Sequence, residues 1–391
     1  MDNVSYKKIA MSEKRDLKNI RAELDKIDQG ILDFLAQRQA VINETAGIKK
    51  DKKAALRDPS REHEILTRIG QRAQNSGLDR YFAMELFRQI IEHSVRFQTD
   101  FLLDHHNLRN RESMLKVGYQ GTDGAYSQQA VMSHFSSRAN DLETFGFETF
   151  REVVEAVEAD ELDYGVLPIE NTTAGSINDT YDLLNRGNLS IVGEEVVQVQ
   201  HCLVALGDVP IENIRRILSH PQAIAQCMNY LSKLRHCKVE TYLDTAMAAR
   251  KVMEDADLSQ AAISSRAAAQ LYGLTILREG IANQKENFTR FVVVGREPIV
   301  VDSQIPSKTS IIITAAHRKG ALASCLNVLN EHNLNLTKLE SRPQPGTPWE
   351  YLFYIDFDGN INEPGVKDAL AKLKEFTGFM KVLGSYPGRV S

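Results

Sequence analysis

The sequence predicts a multidomain chain with three segments of different class: an all-α segment, a two-lobed α/β domain, and an α+β domain with ferredoxin-like element order. Three observations carry this. Apolar residues recur at steps of three and four through the first hundred residues, the mark of helices. From about 115 to 297, short β-branched runs alternate with helical stretches, a pattern of sheets covered by helices and expected to be parallel. Beyond Pro298 and Ile305-Pro306-Ser307 the order is strand, helix, strand, strand, helix, strand. Boundaries are expected at 1–106, 113–298 and 306–391.

Composition narrows the function classes. The 391 residues are 42% hydrophobic and 25% charged, with 47 basic against 52 acidic residues and a net charge of −5. That balance gives no general attraction to nucleic acid or to an anionic membrane, so any anion site must be local. Cys202, Cys227, Cys237 and Cys325 lack the close spacing of a zinc or redox motif, as expected of buried thiols in a reducing compartment. The first residues, with Lys7, Lys8, Glu13, Lys14 and Arg15, show no apolar signal core, and no stretch reaches membrane-spanning length. A cytoplasmic location is expected.

In the first segment Leu17, Ile20, Leu24, Ile27, Ile31 and Phe34 mark one helix from about 15 to 50, roughly 50 Å long at 1.5 Å per residue. Such a helix outreaches one small domain, so a partner helix, and hence a dimer, is expected. Asp58-Pro59 is a restart signal, with Asp as cap and Pro at the first helical position. That second helix should end near Gly77, and Asp79 should cap a third containing Phe82, Leu86, Ile90, Ile91 and Val95. Arg38 and Lys49 fall on one face, about 20° apart, whereas Arg21 is turned about 100° from Arg38 and should serve a different site. Ser94 and Gln98 share a face of the third helix. The polar run from His105-His106 to Glu112 reads as a linker.

In the second segment Leu115 to Gln120 enters the loop Gly121-Thr122-Asp123-Gly124. Its glycines let backbone N–H groups approach an anion, although the spacing is not that of a nucleotide loop. Tyr164 to Ile169 is a buried strand running into Glu170-Asn171-Thr172. Ser219 and Gln222 have capping-box spacing, with Gln226 one turn further on, and Asp244-Thr245 and Ser264-Ser265 read as two more caps. Asn287-Phe288-Thr289-Arg290-Phe291 then leads into Val292-Val293-Val294-Gly295, where the chain returns to a cleft between lobes. A hydroxyl beside a fixed positive charge suits an anionic substrate that gains or loses a proton. Taken alone, Thr289-Arg290 reads more simply as a strand end with a solvated charge.

The third segment contains strands at Lys308–Ala315, Leu334–Ser341, Tyr351–Phe357 and 379–386, with Pro343, Pro345 and Pro348 in between. Its helices are Ala321–His332, with Leu322, Cys325, Leu326 and Leu329 inward, and 363–376.

Specific motifs add a family resemblance to each segment. Ile20-Arg21-Ala22-Glu23, Gln37-Arg38, Ile48-Lys49, Arg57-Asp58-Pro59-Ser60-Arg61-Glu62 and Ile90-Ile91-Glu92-His93-Ser94-Val95-Arg96-Phe97-Gln98 resemble the intertwined all-helical chorismate mutases. The resemblance implies that Arg38 and Arg21 of a second chain hold the carboxylates of chorismate, with Arg61 adding positive charge. Lys49 and Gln98 would donate to the breaking ether oxygen, and Asp58, Glu62 and Ser94 would order the ring hydroxyl and polar rim. The product would be prephenate.

Gly121-Thr122-Asp123-Gly124-Ala125-Tyr126-Ser127, Pro168-Ile169-Glu170-Asn171-Thr172, Ser219-His220-Pro221-Gln222-Ala223 and Asn287-Phe288-Thr289-Arg290-Phe291 resemble prephenate dehydratase, with a periplasmic-binding-protein-like pair of lobes. Here Thr289 is implied as general acid, Arg290, Ser219 and Gln226 as residues orienting substrate, and Glu170 and Asn171 as completing the polar network.

Gly320-Ala321-Leu322 and Leu339-Glu340-Ser341-Arg342-Pro343 resemble the ACT regulatory domains, with Ala323 where Val is expected. They imply L-phenylalanine as inhibitor, bound at a subunit interface against Gly320, Ala321, Leu322 and Asn333-Leu334-Asn335-Leu336, with Glu340, Ser341 and Arg342 regulatory. Read without the motif, Glu340 and Arg342 form a surface ion pair worth under about 1 kcal/mol. The combined expectation is a bifunctional enzyme of phenylalanine biosynthesis needing neither metal nor organic cofactor. It would be a homodimer through its N-terminal helices, with ACT domains offering a further contact between chains. Its rivals are a dehydratase whose helices serve only to dimerise, and a non-catalytic amino-acid sensor.

Overall fold

The computed structural model describes residues 16–52, 55–107, 114–315, 319–344, 347 and 350–388. Lys7, Lys8, Glu13, Lys14 and Arg15, the linker from Leu108 to Glu112, Pro345 and Pro348 lie outside these residues. The chain divides into two compact units, Met1–Leu102 and Leu103–Ser391.

The first unit is helical: α1 (Leu17–Lys52), α2 (Pro59–Asn75) and α3 (Arg80–Asn107). Asp58 accepts the Arg61 N–H at 3.0 Å and Asp79 that of Phe82 at 2.6 Å, so both expected caps form. Gly77 turns the chain between α2 and α3 at φ 74°, a conformation open to glycine at little cost. The backbone of α3 continues through His105 and His106, so that pair belongs to a helix and not to a linker. Along α1, Leu17, Ile20, Leu24, Ile27, Ile31 and Phe34 are all exposed.

The second unit begins with two sheets. In chain order the strands are β1 (Leu115–Gln120), β2 (Leu142–Phe147), β3 (Tyr164–Asn171), β4 (Gly175–Ser176), β5 (Ser190–Gln198), β6 (Cys202–Ala205), β7 (Arg216–Ser219), β8 (Lys238–Thr241), β9 (Gln260–Ser264), β10 (Thr275–Arg278) and β11 (Phe288–Gly295). Between them run α4 (Tyr126–His134), α5 (Phe150–Glu158), α6 (Asn178–Arg186), α7 (Pro221–Gln226), α8 (Met228–Leu231), α9 (Thr245–Asp255) and α10 (Arg266–Leu271). One sheet has the order β2-β1-β3-β11-β5 with β4 beside β3, and the other β10-β6-β9-β7-β8.

The chain leaves the first lobe after β5 and returns by β11, the two-lobed plan expected. Neither sheet is purely parallel. β11 is antiparallel to both β3 and β5, and β6 to both β9 and β10. A strand returning from the other lobe enters at the cleft, where β3 ends, and must run away from it.

The glycine loop serves the lobes themselves. A Cβ on Gly124 would lie 3.0 Å from the Ala268 Cα on α10, and Tyr272 donates to the Asp123 carbonyl at 2.8 Å. The close approach that Gly124 permits is thus to the second lobe.

The remaining elements are β12 (Ser307–Ala315), α11 (Ala321–Glu331), β13 (Leu336–Pro343), β14 (Tyr351–Asp358), α12 (Pro364–Leu373) and β15 (Thr377–Pro387). Their sheet, β13-β14-β12-β15, is antiparallel throughout, the ferredoxin-like arrangement expected. It packs directly on the first sheet. Leu167, Ile191 and Val292 share one apolar cluster with Ile312, Tyr354 and Leu383, and a Cβ on Gly384 would fall 2.1 Å from the Ile191 carbonyl oxygen.

Candidate active sites

The pairing of β3 with β11 sorts the sequence motifs into two groups. Thr289 lies opposite Asn171 and Arg290 opposite Glu170. Successive residues of a strand face opposite sides of a sheet, and cross-strand partners share a side. Thr289 and Asn171 therefore face one way, Arg290 and Glu170 the other. Beyond Arg290 the register slips, so that Phe291 pairs with Pro168 and Ile169 becomes the extra residue of a bulge, where a proline is tolerated in a central strand.

On the first side the hydrogen bonds have a determined direction. The buried Asn171 Oδ1 accepts backbone N–H bonds from Thr173 at 3.0 Å and Ala174 at 2.9 Å. Its Nδ2 must then be the group facing the other way, where it donates to Asn287 Oδ1 at 2.8 Å and to Thr289 Oγ1 at 2.9 Å. With its oxygen accepting from Asn171, Thr289 retains its own proton for a ligand. Asn287 Nδ2 donates to Gln226 Oε1 at 3.2 Å, and Gln226 Nε2 donates to Thr173 Oγ1 at 2.6 Å. Thr173 in turn donates to Asn171 Oδ1 at 2.7 Å.

Thr173, Gln226 and Asn287 of this cluster, with Gln222, Asn283, Gln284 and three alanines, line a cavity of ≈ 360 Å³ with no charged residue among them; Thr289 and Asn171 stand behind that lining.

On the other side Arg290 is largely enclosed in a balanced ionic cluster. It meets Glu170 at 2.9 Å, Glu194 at 2.9 Å and Asp356 at 2.6 Å. Lys308 pairs with Glu194 at 2.8 Å, Lys338 pairs with Glu170, and Tyr386 accepts from Arg290 at 3.2 Å. Burial opposes the Arg290 charge, but Asp356 and the other acidic neighbours more than restore it. All four strands of the ferredoxin-like sheet contribute. The expected hydroxyl beside a positive charge is thus not present: Thr289 and Arg290 are neighbours in sequence and are separated by the sheet. Arg290 and Glu170 face away from the cavity side.

Ser219 also differs from expectation. Its buried hydroxyl donates to the Ile263 carbonyl at 2.7 Å. α7 begins one residue later than the capping-box spacing implies, with His220 as its cap, so the Ser219–Gln222 box does not form.

In the helical unit, Arg38 donates to the buried Ser94 hydroxyl, uniting two of the expected residues. Lys49 donates to the Leu56 carbonyl at 2.6 Å; burial lowers its pKa, with Asp58 and Glu62 opposing that shift. Glu62 is paired with Arg57 at 3.0 Å and the exposed Arg61 with Glu64 at 2.6 Å. Gln98 is buried, with no hydrogen-bond partner for Oε1 among the described residues. Arg21 is exposed and lies seventeen positions before Arg38 on α1, roughly 26 Å along the axis. One chain does not bring it to the others.

In the ferredoxin-like domain Gly320, at φ 78°, starts α11, and Asn333, at φ 55°, follows its end. Gly320-Ala321-Leu322 and Asn333-Leu334-Asn335-Leu336 are thus separated by the length of α11, roughly 16 Å. Ala323 is exposed. Glu340 and Arg342 do not pair with one another. Alternate residues of β13 reach the first lobe: Lys338 to Glu170, Glu340 to Ser176 at 2.6 Å, Arg342 to Asp182 at 3.1 Å. Leu339 and Ser341 face outward, exposed.

The sequence reading passed over Thr173 and Asn287. Both stand inside or beside the sequence motifs, and nothing local marks a side chain as part of a network.

Comparison with known proteins covers each segment. The family models for chorismate mutase type II, prephenate dehydratase and the ACT domain match residues 20–99, 117–299 and 309–375. The bifunctional chorismate mutase/prephenate dehydratase of Escherichia coli K12 is 38% identical over 96% of this chain and 97% of its own. Arogenate dehydratase 2 of Petunia hybrida is 41% identical over 73% of this chain and 74% of its own. The crystal structure of prephenate dehydratase in complex with L-Phe from Arthrobacter aurescens superposes with TM-score 0.64 at 30% identity, covering 71% of this chain and 93% of that one. Similar over nearly its whole length, this chain belongs to the bifunctional chorismate mutase/prephenate dehydratase family.

Proposed function

We propose that the chain catalyses two successive steps of L-phenylalanine biosynthesis, with the helical unit rearranging chorismate to prephenate and the cavity beside Thr289 serving the conversion of prephenate to phenylpyruvate. The single observation that carries the second assignment is the Asn171–Thr289 hydrogen bond, whose direction is determined by the two backbone N–H groups on Asn171 Oδ1. In prephenate the ring C–O bond breaks toward oxygen while the bond to the ring carboxylate breaks toward the ring, releasing CO₂ and completing an aromatic sextet. The departing hydroxide needs a proton. Thr289 presents one, and the Asn171 amide stabilises charge left on its oxygen. The remaining carboxylate would be held by neutral amides of the cavity rather than by Arg290.

In the helical unit the reaction is pericyclic, so its residues need only hold the reactive conformer and stabilise charge on the ether oxygen. Arg38, Ser94, Lys49 and Gln98 serve this role, with Arg21 supplied by a second chain. The exposed apolar stripe of α1 supports that dimer. Feedback by L-phenylalanine is assigned to the ACT domain. Because its two effector segments lie at opposite ends of α11, the effector would bind where segments of two chains meet, with Glu340 and Arg342 relaying the effect to the first lobe.

No described helix is long and apolar enough to cross a membrane, and we place the enzyme in the cytoplasm. The test is to incubate the purified protein with chorismate, following chorismate loss and phenylpyruvate appearance separately. Both should occur. Loss of chorismate without phenylpyruvate, or neither, would overturn the corresponding half.

A further inference from the structure

His201 connects β5 to β6 at the crossing between lobes, and none of the motifs includes it. Its side chain is buried, 2% exposed, and its Nε2 lies 2.8 Å from Gln226 Oε1. An amide oxygen only accepts, so the direction of that bond rests on which way the Gln226 amide is turned.

The network settles this. Two backbone N–H groups orient Asn171, Asn171 Nδ2 orients Asn287 through Oδ1, and Asn287 Nδ2 then requires the oxygen of Gln226. His201 must therefore donate from Nε2. Its Nδ1 carries the lone pair and has no hydrogen-bond partner among the described residues. Burial pushes the imidazole below its ordinary pKa, with the Gln226 bond opposing this, so the ring is neutral at neutral pH.

We infer that His201 is a positioning residue of the dehydratase reaction: its Nε2–H holds the Gln226 amide so that Nε2 of Gln226 serves Thr173 with one hydrogen and the cavity with the other. With the imidazole donor gone, Oε1 keeps only the longer 3.2 Å bond from Asn287. The amide can then turn over, and the Thr173–Asn171–Thr289 chain loses its direction. The inference rests on the assignment of this cavity to prephenate.

The test uses full-length protein, prephenate as substrate, and chorismate mutase activity as the control for folding. His201→Leu should lower dehydratase kcat/KM about 10- to 100-fold, the scale of losing one buried hydrogen bond. His201→Gln, whose amide can place a donor near the imidazole Nε2 position, should recover most of that loss. In a Gln226→Ala background, His201→Leu should cost nothing further.

A His201→Leu enzyme as active as the parent, a loss that Gln does not recover, or an undiminished loss in the Gln226→Ala background would each overturn the inference. If Gln226→Ala itself leaves dehydratase activity intact, the cavity assignment fails instead.

Discussion

The candidate dehydratase and mutase sites differ in how much of each a single chain builds. Around Thr289, five polar side chains from β3, α7, β11 and the adjoining loops form one hydrogen-bonded cluster whose donor directions are determined. In the helical unit the corresponding residues are held by local stand-ins: Lys49 by the Leu56 carbonyl, Glu62 by Arg57, Arg61 by Glu64. Arg21 is exposed far along α1. Two lobes of one chain can enclose a substrate, whereas a single helical bundle leaves its apolar stripe uncovered, and on the function proposed above a second copy completes its site.

The largest expected effect falls on Thr289. Thr289→Ala should lower phenylpyruvate formation by about 10²- to 10⁴-fold, the range of a general acid, while chorismate rearrangement is unchanged. Thr289→Ser should retain much of the activity in the same steady-state assay. Lys49→Ala gives the mirror result: mutase turnover down by about 10²- to 10³-fold, with dehydratase turnover at the parental level. Equal losses of both activities in either variant would abolish the distinction between the sites.

A third substitution separates the two faces of β11. Arg290→Met leaves Glu170, Glu194 and Asp356 without their common partner, and should destabilise the second unit by about 3–5 kcal/mol, read from its denaturant transition. Thr289→Ala, one residue away, should shift that transition far less.

Mixing tests the incomplete site directly. Arg21→Ala and Lys49→Ala chains should each have little mutase activity, but in a two-fold dimer half the pairs would be mixed and one of their two sites intact. Co-refolded in equal amounts, they should recover about one quarter of parental mutase activity. No recovery would argue that Arg21 acts within its own chain.

The smallest effect is on pH dependence. Burial alone raises the Glu170 pKa, but Lys338 and Arg290 more than offset it, leaving the carboxyl below its ordinary value. A group depressed in the fold contributes stability that is complete above its unfolded pKa and is lost as pH falls through the folded value. The thermal midpoint of the second unit should therefore drop as pH is lowered below about 4, and Glu170→Gln should flatten part of that slope.

Much of the fold was legible because its signals are local. Asp58, Asp79, Asp244 and Ser265 each cap a helix as their neighbours imply, and apolar periodicity separated helices from strands throughout. The sheets of the α/β segment are mixed rather than parallel throughout, since strand direction depends on where the chain re-enters a lobe. The site was legible as residue types and not as geometry. Thr289, Asn171 and Gln226 do converge, whereas Ser219 is bound to a neighbouring strand and Arg290 is part of the interface with the ACT sheet. His201 had no sequence signal, because a lone buried histidine looks the same whether it fills space or orients an amide.

The elements, their order and the motifs of three families are local properties of the chain, each readable within a few residues. Which of those residues share a face depends on the folded arrangement. Thr289 and Arg290 are adjacent in the chain and part across the sheet, while Thr289 and Asn171, 118 positions apart, meet at 2.9 Å. The reason is that a strand alternates its side chains whatever their chemistry, so partnership across a sheet follows from register, and register is set by pairing between distant segments.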